Sequence, residues 1–600
     1  MLHDPDLISV QEVRDKVEKA YAAWQKYSRS TQEQVDGIVE RMAAAARGEA
    51  RRLAEMAVEE TGYGNARDKL AKNLLCADLL PRTMRGVRTI GVLRELPQEK
   101  VVEIGVPVGV VAAILPTTNP TSTAIYKTLI SLKAGNGIVL SPHPRAKKCT
   151  CATVDVLCRA ALEAGAPQDL IQCINNPTLD ATNALMRHRR TGVILSTGGS
   201  GIVRAAYSSG KPAFGVGPGN VPVYVDTSAD VADAVAKVVE GKSFDYGTVC
   251  SSEQTVVAER SLRDRIIAEL KARRAYICDA RQSQTLAKLL VTPSFGINPN
   301  CVGQPPQRIA EMAGFTVPAE TTILVVEIEG VGKDHPMSAE KLSPVLSVLF
   351  VDSADAAMTA CEGILRFGGL GHTCVVYSQD DTRTREFAMR MPAFRVLVNT
   401  PAPQGSTGIT TGIQPSMTLG CGAVAGNITS DNIGPLHLIN IKRLAYAVRK
   451  PEEAFTVPAD SQQASRAAID RGTVVSAVEK YLASRGLRAM PTSVAADPPG
   501  GNVTASIVDR FLASRATTMP VSAQSADTGC SACAAPAETK TPVRPEPPAP
   551  QITIVDFVAE ADVRDAIRQS RKIYIGPKTI VTPSAREAAG ALDVLVMAQR

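Results

Sequence analysis

The feature that most constrains the fold is an alternation of β-branched runs and helical patterns that begins near residue 101. The run VVEIGVPVGVVAAILP (101–116) is rich in valine and isoleucine and is broken by glycines, which favours strands. Helical patterns near 121–134 and 145–164 enclose a further strand, GIVLS (137–141). Because strands that alternate with helices of roughly ten to twenty residues belong to parallel sheets, this region predicts an α/β, doubly wound sheet.

A second alternating set, from VPVYVD (221–226) to RVLVN (395–399), predicts a second α/β domain. Before the first set, apolar residues at three- and four-residue spacing, such as Val35 and Ile38, predict helices over 8–85. A chain of 600 residues is longer than one hydrophobic core usually serves, so we expect two or more domains.

The character of the sequence changes near residue 488. The window 491–550 holds ten of the 39 prolines, and such a stretch cannot bury enough apolar surface to fold, which predicts a disordered linker. A repeated amphipathic segment, SAVEKYLASR (476–485) and SIVDRFLASR (506–515), predicts two short helices. The regions after residue 450 are an amphipathic helix region at 451–487, a proline-rich linker at 488–551 with an embedded helix at 503–516, and an ordered module at 552–600.

Charge and composition exclude some classes of function. The 66 basic and 60 acidic side chains leave +6, too little to indicate nucleic-acid binding, and no apolar run reaches the roughly 18 residues that span a bilayer. The charged start lacks the apolar segment of a secretory signal. Thirteen cysteines without framework spacing indicate a reducing cytosol. Cys530 and Cys533 have CxxC spacing but no second pair or histidine nearby, so we expect no metal site.

A polar patch follows the first strand in ILPTTNPTSTAIYK (114–127). The carboxyl ends of parallel strands are where α/β sheets place ligands, and the Asn119 amide or Thr118 could donate a hydrogen bond to a developing oxyanion. In the alternative interpretation, Asn119 and Thr121 only cap the next helix.

Two further stretches are rich in glycine. VILSTGGSGIVRAAY (193–207) runs from a strand through glycines into a helix start, a geometry that offers free N–H groups to a phosphate, although an ordinary tight turn has the same pattern. AFGVGPGNVPVYV (213–225) alternates glycines through a loop, which permits close approach of the backbone to another strand or to a ligand.

One cysteine, Cys250 in DYGTVCSSEQ, lies between a turn and an apolar strand. A cysteine is more often an inert core residue than a nucleophile. The flanking serines and the nearby turn make this one less typical of a core.

Taken together, the order and spacing of the motifs are specific. From about residue 8 to 450 the chain resembles the aldehyde dehydrogenase superfamily, and within it the coenzyme A-acylating branch, which includes acetaldehyde and propionaldehyde dehydrogenases. The motifs that carry the resemblance are PTTNPTSTAIYK, SPHPRA, STGGSG, GVGPGN, GTVCSSEQ, EKLSPVLSV, GLGHT and PSMTLGCG.

The resemblance implies a fold and a division into domains. It implies the aldehyde dehydrogenase fold, with a dinucleotide-binding domain at 1–220 that carries an oligomerisation hairpin at 91–109. A catalytic thiol domain at 221–420 follows, and 421–450 returns to the first domain and to oligomerisation. A homodimer or homotetramer is therefore expected.

The resemblance also implies roles for individual residues. Cys250 aligns with the family nucleophile, and Asn119 or Thr118 would stabilise the oxyanion. His372 would take a proton from the coenzyme A thiol, or it is structural; Cys421 would pack near the site without reacting. Glu340 would hold the nicotinamide ribose, or form a salt bridge at a helix end. NAD and coenzyme A would share one crevice, whose expected lining is Pro116, Thr117, Ser141, Pro142, His143, Pro144, Thr197, Gly198, Gly199, Gly217 and Glu340.

Two departures from the hydrolytic relatives bear on mechanism. Gly215 stands where the resemblance places their general-base glutamate, and without a base water is a poor nucleophile toward a thioester. A thiol reacts more readily, which supports coenzyme A as the acyl acceptor. Glu253 is the alternative base. Ser141 replaces a lysine of those relatives, which favours NAD over NADP.

The expected function is an NAD-dependent acylating dehydrogenase of a short-chain aldehyde, propionaldehyde first and acetaldehyde next. The tail helices resemble encapsulation peptides, so shell or cargo proteins of a bacterial microcompartment are expected partners; self-association or packing of the 474–485 helix on its own domain is the alternative. Two further hypotheses are a hydrolytic dehydrogenase that releases the free acid and a non-catalytic scaffold.

Overall fold

The computed structural model describes residues 4–293, 295–455, 471–485, 554–569, 571–590 and 594–597. The chain divides into two units, Met1–Thr456 and Val457–Arg600. Within the described residues, no helix combines the length and the apolar character needed to cross a bilayer.

An N-terminal helical region precedes the sheets, as the apolar spacing predicts. Asp4 caps the first helix by accepting from two backbone N–H groups, and Thr31 and Gln34 form a capping box on the second. Val35 and Ile38 are buried on the predicted face. The helices are α1 (Pro5–Tyr27), α2 (Gln32–Gly48), α3 (Ala50–Thr61), α4 (Ala66–Leu74) and α5 (Leu80–Met84), with a π-helical turn, Leu75–Leu79, before α5.

A five-stranded parallel sheet forms the first α/β layer. Its central strands are buried along their whole length, which is why they read as continuous apolar runs rather than as alternating ones. In spatial order the strands are β5 (Ile171–Cys173), β4 (Gly137–Ser141), β3 (Val110–Ile114), β6 (Thr191–Thr197) and β7 (Ala213–Val216). The helices are α6 (Pro120–Lys133), α7 (Lys147–Glu163), α8 (Leu179–Arg187) and α9 (Ser200–Tyr207).

A seven-stranded parallel sheet forms the second layer, so the predicted α/β class is confirmed. In spatial order its strands are β10 (Tyr276–Ile277), β11 (Leu324–Glu327), β12 (Val345–Val351), β9 (Glu253–Glu259), β8 (Val221–Val225), β13 (Gly371–Tyr377) and β14 (Ala393–Val398). Its helices are α10 (Val231–Ser243), α11 (Arg263–Ala272), α12 (Ala280–Leu290), α13 (Pro306–Met312), α14 (Ala354–Ile364), α15 (Asp381–Arg390) and α16 (Ala402–Ser406). The change from one sheet to the next falls between Val216 and Val221. The division into domains at 220 and 221 stays a prediction.

A small antiparallel sheet stands apart from the two parallel ones. The strands β1 (Gly91–Leu96) and β2 (Val101–Pro107) form the expected hairpin, and β15 (Ile439–Ala445) pairs with the other edge of β2. Beyond its first residue, β15 is exposed. The role of this hairpin in oligomerisation stays a prediction.

The second unit contains one helix and a small α/β module among its described residues. The helix α17 (Arg471–Ser484) corresponds to the first predicted amphipathic repeat. The module is a parallel sheet of β16 (Ile554–Val558), β17 (Ile573–Val581) and β18 (Leu595–Met597), with α18 (Glu560–Arg568) and α19 (Pro583–Ala589). The predicted linker at 488–551, its helix at 503–516, and the Cys530–Cys533 pair lie outside the described residues.

Candidate active site

One cavity of about 600 Å³ gathers the predicted site residues. It lies where β3, β4, β6 and β7 end, since the last residue of each strand contributes to its wall. The carboxyl edge of a parallel sheet is the usual place for a ligand. Every predicted site residue except His372 lines it: Pro116, Thr117, Thr118, Asn119, Ser141, Pro142, His143, Pro144, Thr197, Gly198, Gly199, Gly217, Cys250 and Glu340.

The side chain of Asn119 does not cap helix α6. Asn119 occupies the N-cap position of α6, but its side chain makes no capping hydrogen bond, so the alternative interpretation of this residue is wrong. Thr121 does not cap the helix either, since its hydroxyl donates to Asn73 Oδ1 at 2.8 Å. The Asn119 amide is therefore available to the cavity that it lines.

A buried lysine orients the Asn119 amide. Lys72 Nζ, on α4, donates to Asn119 Oδ1 at 2.5 Å. Because an ammonium group can only donate, this contact fixes the carbonyl oxygen toward Lys72 and turns the NH₂ group the other way. That NH₂ group also donates to Thr118 Oγ1 at 3.1 Å. Nothing in the sequence marks Lys72 as a site residue, because a lysine in a helix is ordinarily exposed.

The loop that carries Cys250 is tied to α4 through Asp245. The buried Asp245 carboxylate pairs with Lys72 and with Lys69, whose Nζ lies 3.1 Å from Oδ2, and accepts from Asn65 N at 2.8 Å. Burial alone would raise the pKa of Asp245, but the two ammonium charges and the hydrogen bonds hold it below its usual value. Asp245 has φ of 47°, a left-handed conformation that these contacts stabilise. Asp245 belongs to the DYGTVCSSEQ stretch around Cys250, but nothing in this stretch indicates that Lys69 and Lys72 are its partners.

The glycine turn after β6 presents free backbone groups. Helix α9 begins at Ser200, and its N-cap, Gly199, supplies no side-chain hydrogen bond. A Cβ atom added at Gly199 or at Gly217 would meet no heavy atom of the described residues within 4 Å, so these residues leave open space in front of both glycines. An uncapped helix start that faces open space suits a phosphate group.

Cys250 lies between a 3₁₀ turn, Phe244–Gly247, and β9, and it is partly buried. Burial raises the pKa of its thiol to about 12, and the charge of Glu340 adds to this shift. The guanidinium of Arg395 acts in the opposite direction. Glu340 accepts a hydrogen bond from Gly219 N at 3.3 Å, and burial raises its own pKa to about 8.

A layer of side chains lies behind the nucleophile. A Cβ atom at Gly219 would stand 2.2 Å from the Cys250 carbonyl oxygen and 3.1 Å from the His372 ring, so only glycine fits there. His372 is fully buried and does not line the cavity. Burial lowers its pKa to about 3, so the ring is neutral, and among the described residues its Nε2 has no hydrogen-bond partner. Cys421 is buried beside Arg395, its Sγ 4.0 Å from the guanidinium.

The position of the expected general base is filled by another side chain. A Cβ atom at Gly215 would lie 2.8 Å from Val203 and 2.9 Å from the Tyr207 ring. The Tyr207 hydroxyl accepts from Gly215 N at 3.0 Å and donates to Gly215 O at 3.1 Å. Tyr207 thus occupies the space into which a side chain at 215 would extend.

Glu253 does not face the cavity. Its carboxylate is buried, accepts from Ala402 N at 2.7 Å, and packs against Gly241, where a Cβ atom would stand 2.2 Å from Oε1. Glu340 is the only carboxylate in the cavity wall that the described residues form. No cluster of three or more potential metal ligands occurs within those residues.

Comparison with known proteins agrees with this geometry. A model of the aldehyde dehydrogenase family matches residues 3–284. The chain is 43% identical over 443 residues to a bifunctional aldehyde-alcohol dehydrogenase of Escherichia coli. This alignment covers 73% of the present chain and 50% of the relative. The present chain thus spans about half the length of the first curated relatives that it matches. A succinate-semialdehyde dehydrogenase (acetylating) of Clostridium kluyveri is 35% identical, with 72% of this chain and 95% of the relative covered.

Solved structures show the same fold. An acetylating aldehyde dehydrogenase of Geobacillus thermoglucosidasius superposes with a TM-score of 0.74 at 48% identity, covering 75% of this chain and 99% of that one. A Rhodopseudomonas palustris propionaldehyde dehydrogenase with bound coenzyme A and an acylated cysteine has a TM-score of 0.65 at 28% identity, covering 72% and 97%. A propionaldehyde dehydrogenase from a Clostridium phytofermentans microcompartment has a TM-score of 0.66 at 28% identity, also covering 72% and 97%.

The predicted aldehyde dehydrogenase fold is confirmed by these matches. Two of these relatives are aligned over nearly their full length, and they establish the family of the chain. The chain belongs to the aldehyde dehydrogenases, and within them to the acylating aldehyde dehydrogenase family.

Proposed function

We propose that the protein oxidises a short-chain aldehyde with NAD and transfers the acyl group from Cys250 to coenzyme A. One observation carries the proposal. Cys250 shares a cavity with the glycine turn and Asn119, while Tyr207 occupies the space beside Gly215 where a hydrolytic enzyme would need its base.

The residues of the cavity fit a dinucleotide. The uncapped start of α9 and the open space at Gly199 and Gly217 suit the pyrophosphate, and Thr197 and Gly198 border the same turn. Ser141 to Pro144 would hold the adenosine end, and Pro116 and Thr117 line the same cavity. Glu340 would hold the nicotinamide ribose through its carboxylate. When bound, the nicotinamide supplies the hydride acceptor.

The chain's own residues would carry the covalent steps. The Cys250 sulfur attacks the aldehyde carbonyl, and the charge that develops on oxygen is stabilised by the Asn119 NH₂ group and the Cys250 backbone N–H, with Thr118 beside them. Since burial raises the pKa of the Cys250 thiol to about 12, the thiol must release its proton to solvent before the sulfur attacks. Arg395 is the buried cation whose charge favours the thiolate.

The acyl group then waits on Cys250 for a thiol. General-base assistance to water is worth about 10²–10⁴-fold, and residue 215 cannot supply it. We propose His372 as the proton acceptor for the coenzyme A thiol, because its Nε2 has no hydrogen-bond partner within the described residues and is available to accept one. The ring packs against Gly219, directly beside the nucleophile loop.

The size of the aldehyde is a separate question. The relatives named for acetylation share more identity with this chain than those named for propionaldehyde. We therefore propose a two- or three-carbon aldehyde, because one methylene changes pocket binding by only about 1–3 kcal/mol. Competition between acetaldehyde and propionaldehyde, measured as the ratio of kcat/KM values, assigns the preferred one.

We also propose that the region after residue 450 directs the enzyme to a microcompartment. Helix α17 bears an apolar stripe of Val474, Val478 and Tyr481, and Tyr481 is 61% exposed. A similar protein from a microcompartment has the same fold. Removal of 488–600 should leave turnover intact and abolish co-sedimentation with shells; loss of turnover in a soluble, folded truncation would contradict this.

A single assay tests the proposed activity. NADH formation from propionaldehyde is measured with and without coenzyme A for the wild-type chain, Cys250→Ala and Cys361→Ala. Cys361 is fully buried in a core cluster away from the cavity, so its variant controls for loss of a buried thiol. We expect NADH formation to depend on coenzyme A in the wild-type chain, to be abolished in Cys250→Ala and to be retained in Cys361→Ala. NADH formation at an equal rate without coenzyme A would instead indicate hydrolysis, with Glu340 as the available carboxylate.

A further inference from the structure

Two cysteines outside the cavity wall have their sulfur atoms in contact. Cys151 lies on α7, and Cys173 is the last residue of β5. Their Sγ atoms are 2.9 Å apart, although 22 positions separate the residues in the chain. Neither residue belongs to the cavity lining, so the covalent chemistry proposed for Cys250 does not use them.

The two thiols differ in exposure and in charge environment. Cys151 is partly exposed, whereas Cys173 is buried. Contact with the Cys173 thiol and the charge of Lys16 lower the pKa of Cys151, against the effect of burial. Lys16 is held in place because its ammonium group donates to the Cys173 carbonyl. The pair therefore combines an accessible nucleophilic thiol with a shielded second thiol that is already in contact with it.

Neighbouring cysteines lack this combination. Cys158 lies on the same helix, two turns further on, and its thiol donates to Ile171 O at 3.4 Å. Burial raises its pKa to about 12. Cys149 is fully buried, and burial raises its pKa too. Among the described residues, Cys151 is the only thiol of this helix that has a partner sulfur.

We propose that Cys151 and Cys173 form a reversible disulfide when a small-molecule disulfide of the oxidised glutathione type is present. The Cys151 thiolate attacks one sulfur of the oxidant, which releases one thiolate and leaves a mixed disulfide on Cys151. Cys173 loses its proton and attacks the Cys151 sulfur, which releases the second thiolate. The protein loses two protons and two electrons, and the oxidant gains both as two thiols.

The geometry of the site favours closure of the bond. The sulfur atoms need to approach from 2.9 Å to the disulfide length of about 2.05 Å. The bond would lie close to the cavity, since Pro177 and Thr178, a few residues after Cys173, form part of its wall. In a reducing cytosol the pair stays open until oxidant accumulates.

Peptide mapping of the intact protein tests this inference. The full-length chain is incubated with oxidised glutathione, free thiols are alkylated, and trypsin digestion is performed without reductant. Trypsin places Cys151 on peptide 149–159 and Cys173 on peptide 160–187. We expect these two peptides to be joined, with fragmentation assigning the bond to Cys151 and Cys173, and dithiothreitol to separate them.

Serine variants separate this pair from its neighbours. The link should persist in Cys158→Ser, which changes the same peptide and the same helix, and should be lost in Cys151→Ser and Cys173→Ser. Cys173→Ser should instead accumulate glutathione on Cys151, because the second step is missing. The inference is overturned if the wild-type peptides stay separate, if the bond runs through Cys149 or Cys158, or if Cys151 in Cys173→Ser takes up no glutathione.

Discussion

Replacement of Lys72 by methionine should separate the orientation of Asn119 from the stability of the fold. Lys72 donates to Asn119 Oδ1 at 2.5 Å and pairs with the buried Asp245 carboxylate. Methionine keeps much of the volume but removes both contacts. Without the ammonium group, the Asn119 amide can rotate, and its NH₂ group is no longer fixed for the oxyanion.

The expected magnitudes follow from what remains around each partner. After the substitution Asp245 still has Lys69 at 3.1 Å and Asn65 N at 2.8 Å, so the loss of stability should stay below the roughly 3–5 kcal/mol that follows complete loss of a buried pair. The loss in kcat is bounded by the value of an oxyanion donor, about 10²–10³-fold. We expect a decrease of at least about tenfold, because the donor is retained but no longer held in place.

Lys69→Met is the matched control. Lys69 is as buried as Lys72 and pairs with the same carboxylate, but it donates to the Thr118 carbonyl rather than to Asn119. Both variants should lower the melting temperature, and only Lys72→Met should lower kcat strongly. In an Asn119→Ala background, Lys72→Met should cost nothing further in kcat. Equal losses of kcat in the two lysine variants, or multiplicative losses when Lys72→Met is combined with Asn119→Ala, would show that Lys72 does not act through Asn119.

Three further outcomes follow from the same geometry. Glu340→Gln removes a charge that raises the pKa of Cys250, so the pH midpoint for alkylation of this thiol by iodoacetamide should move down. An unchanged or higher midpoint would show that the Glu340 charge does not affect the thiol. Gly219→Ala places a methyl group 2.2 Å from the Cys250 carbonyl oxygen, so the rate of NADH formation should fall by more than tenfold, which corresponds to about 1.4 kcal/mol. A near-normal rate would show that the loop with Gly219 does not contact the loop with Cys250. Glu253→Gln should leave the dependence on coenzyme A unchanged, because the Glu253 carboxylate accepts a hydrogen bond from Ala402 N and does not face the cavity. A rate of acyl transfer to coenzyme A that falls more than tenfold in this variant would identify Glu253 as a base.

Much of the architecture is predictable from the sequence because the signals are local. The strands β3 and β4 are buried on both faces, so they appear as unbroken runs of apolar residues that no surface element would tolerate. The glycines at 198, 199 and 217 are also visible in the sequence, but an ordinary tight turn would give the same pattern, so the pattern by itself does not assign them to a ligand site.

The surroundings of the nucleophile are not predictable in the same way. Lys72 and Asp245 are 173 positions apart, and only the packing of α4 against the Cys250 loop brings them together. Arg395 lies on β14 and is 2% exposed, which is rare for an arginine and has no local signature. The burial of His372 against Gly219 depends in the same way on how β13 packs against the loop that follows β7. A sequence motif does not contain the distance between these two elements.

The central claim is that a thioester forms on Cys250 and persists until a thiol arrives. The most direct measurement is peptide mass spectrometry of the full-length enzyme after incubation with propionaldehyde and NAD, before and after addition of coenzyme A. We predict a propionyl group on Cys250 that coenzyme A removes as propionyl-coenzyme A. A turnover-competent enzyme that carries no acyl group on Cys250, or carries it on another residue, would contradict the account.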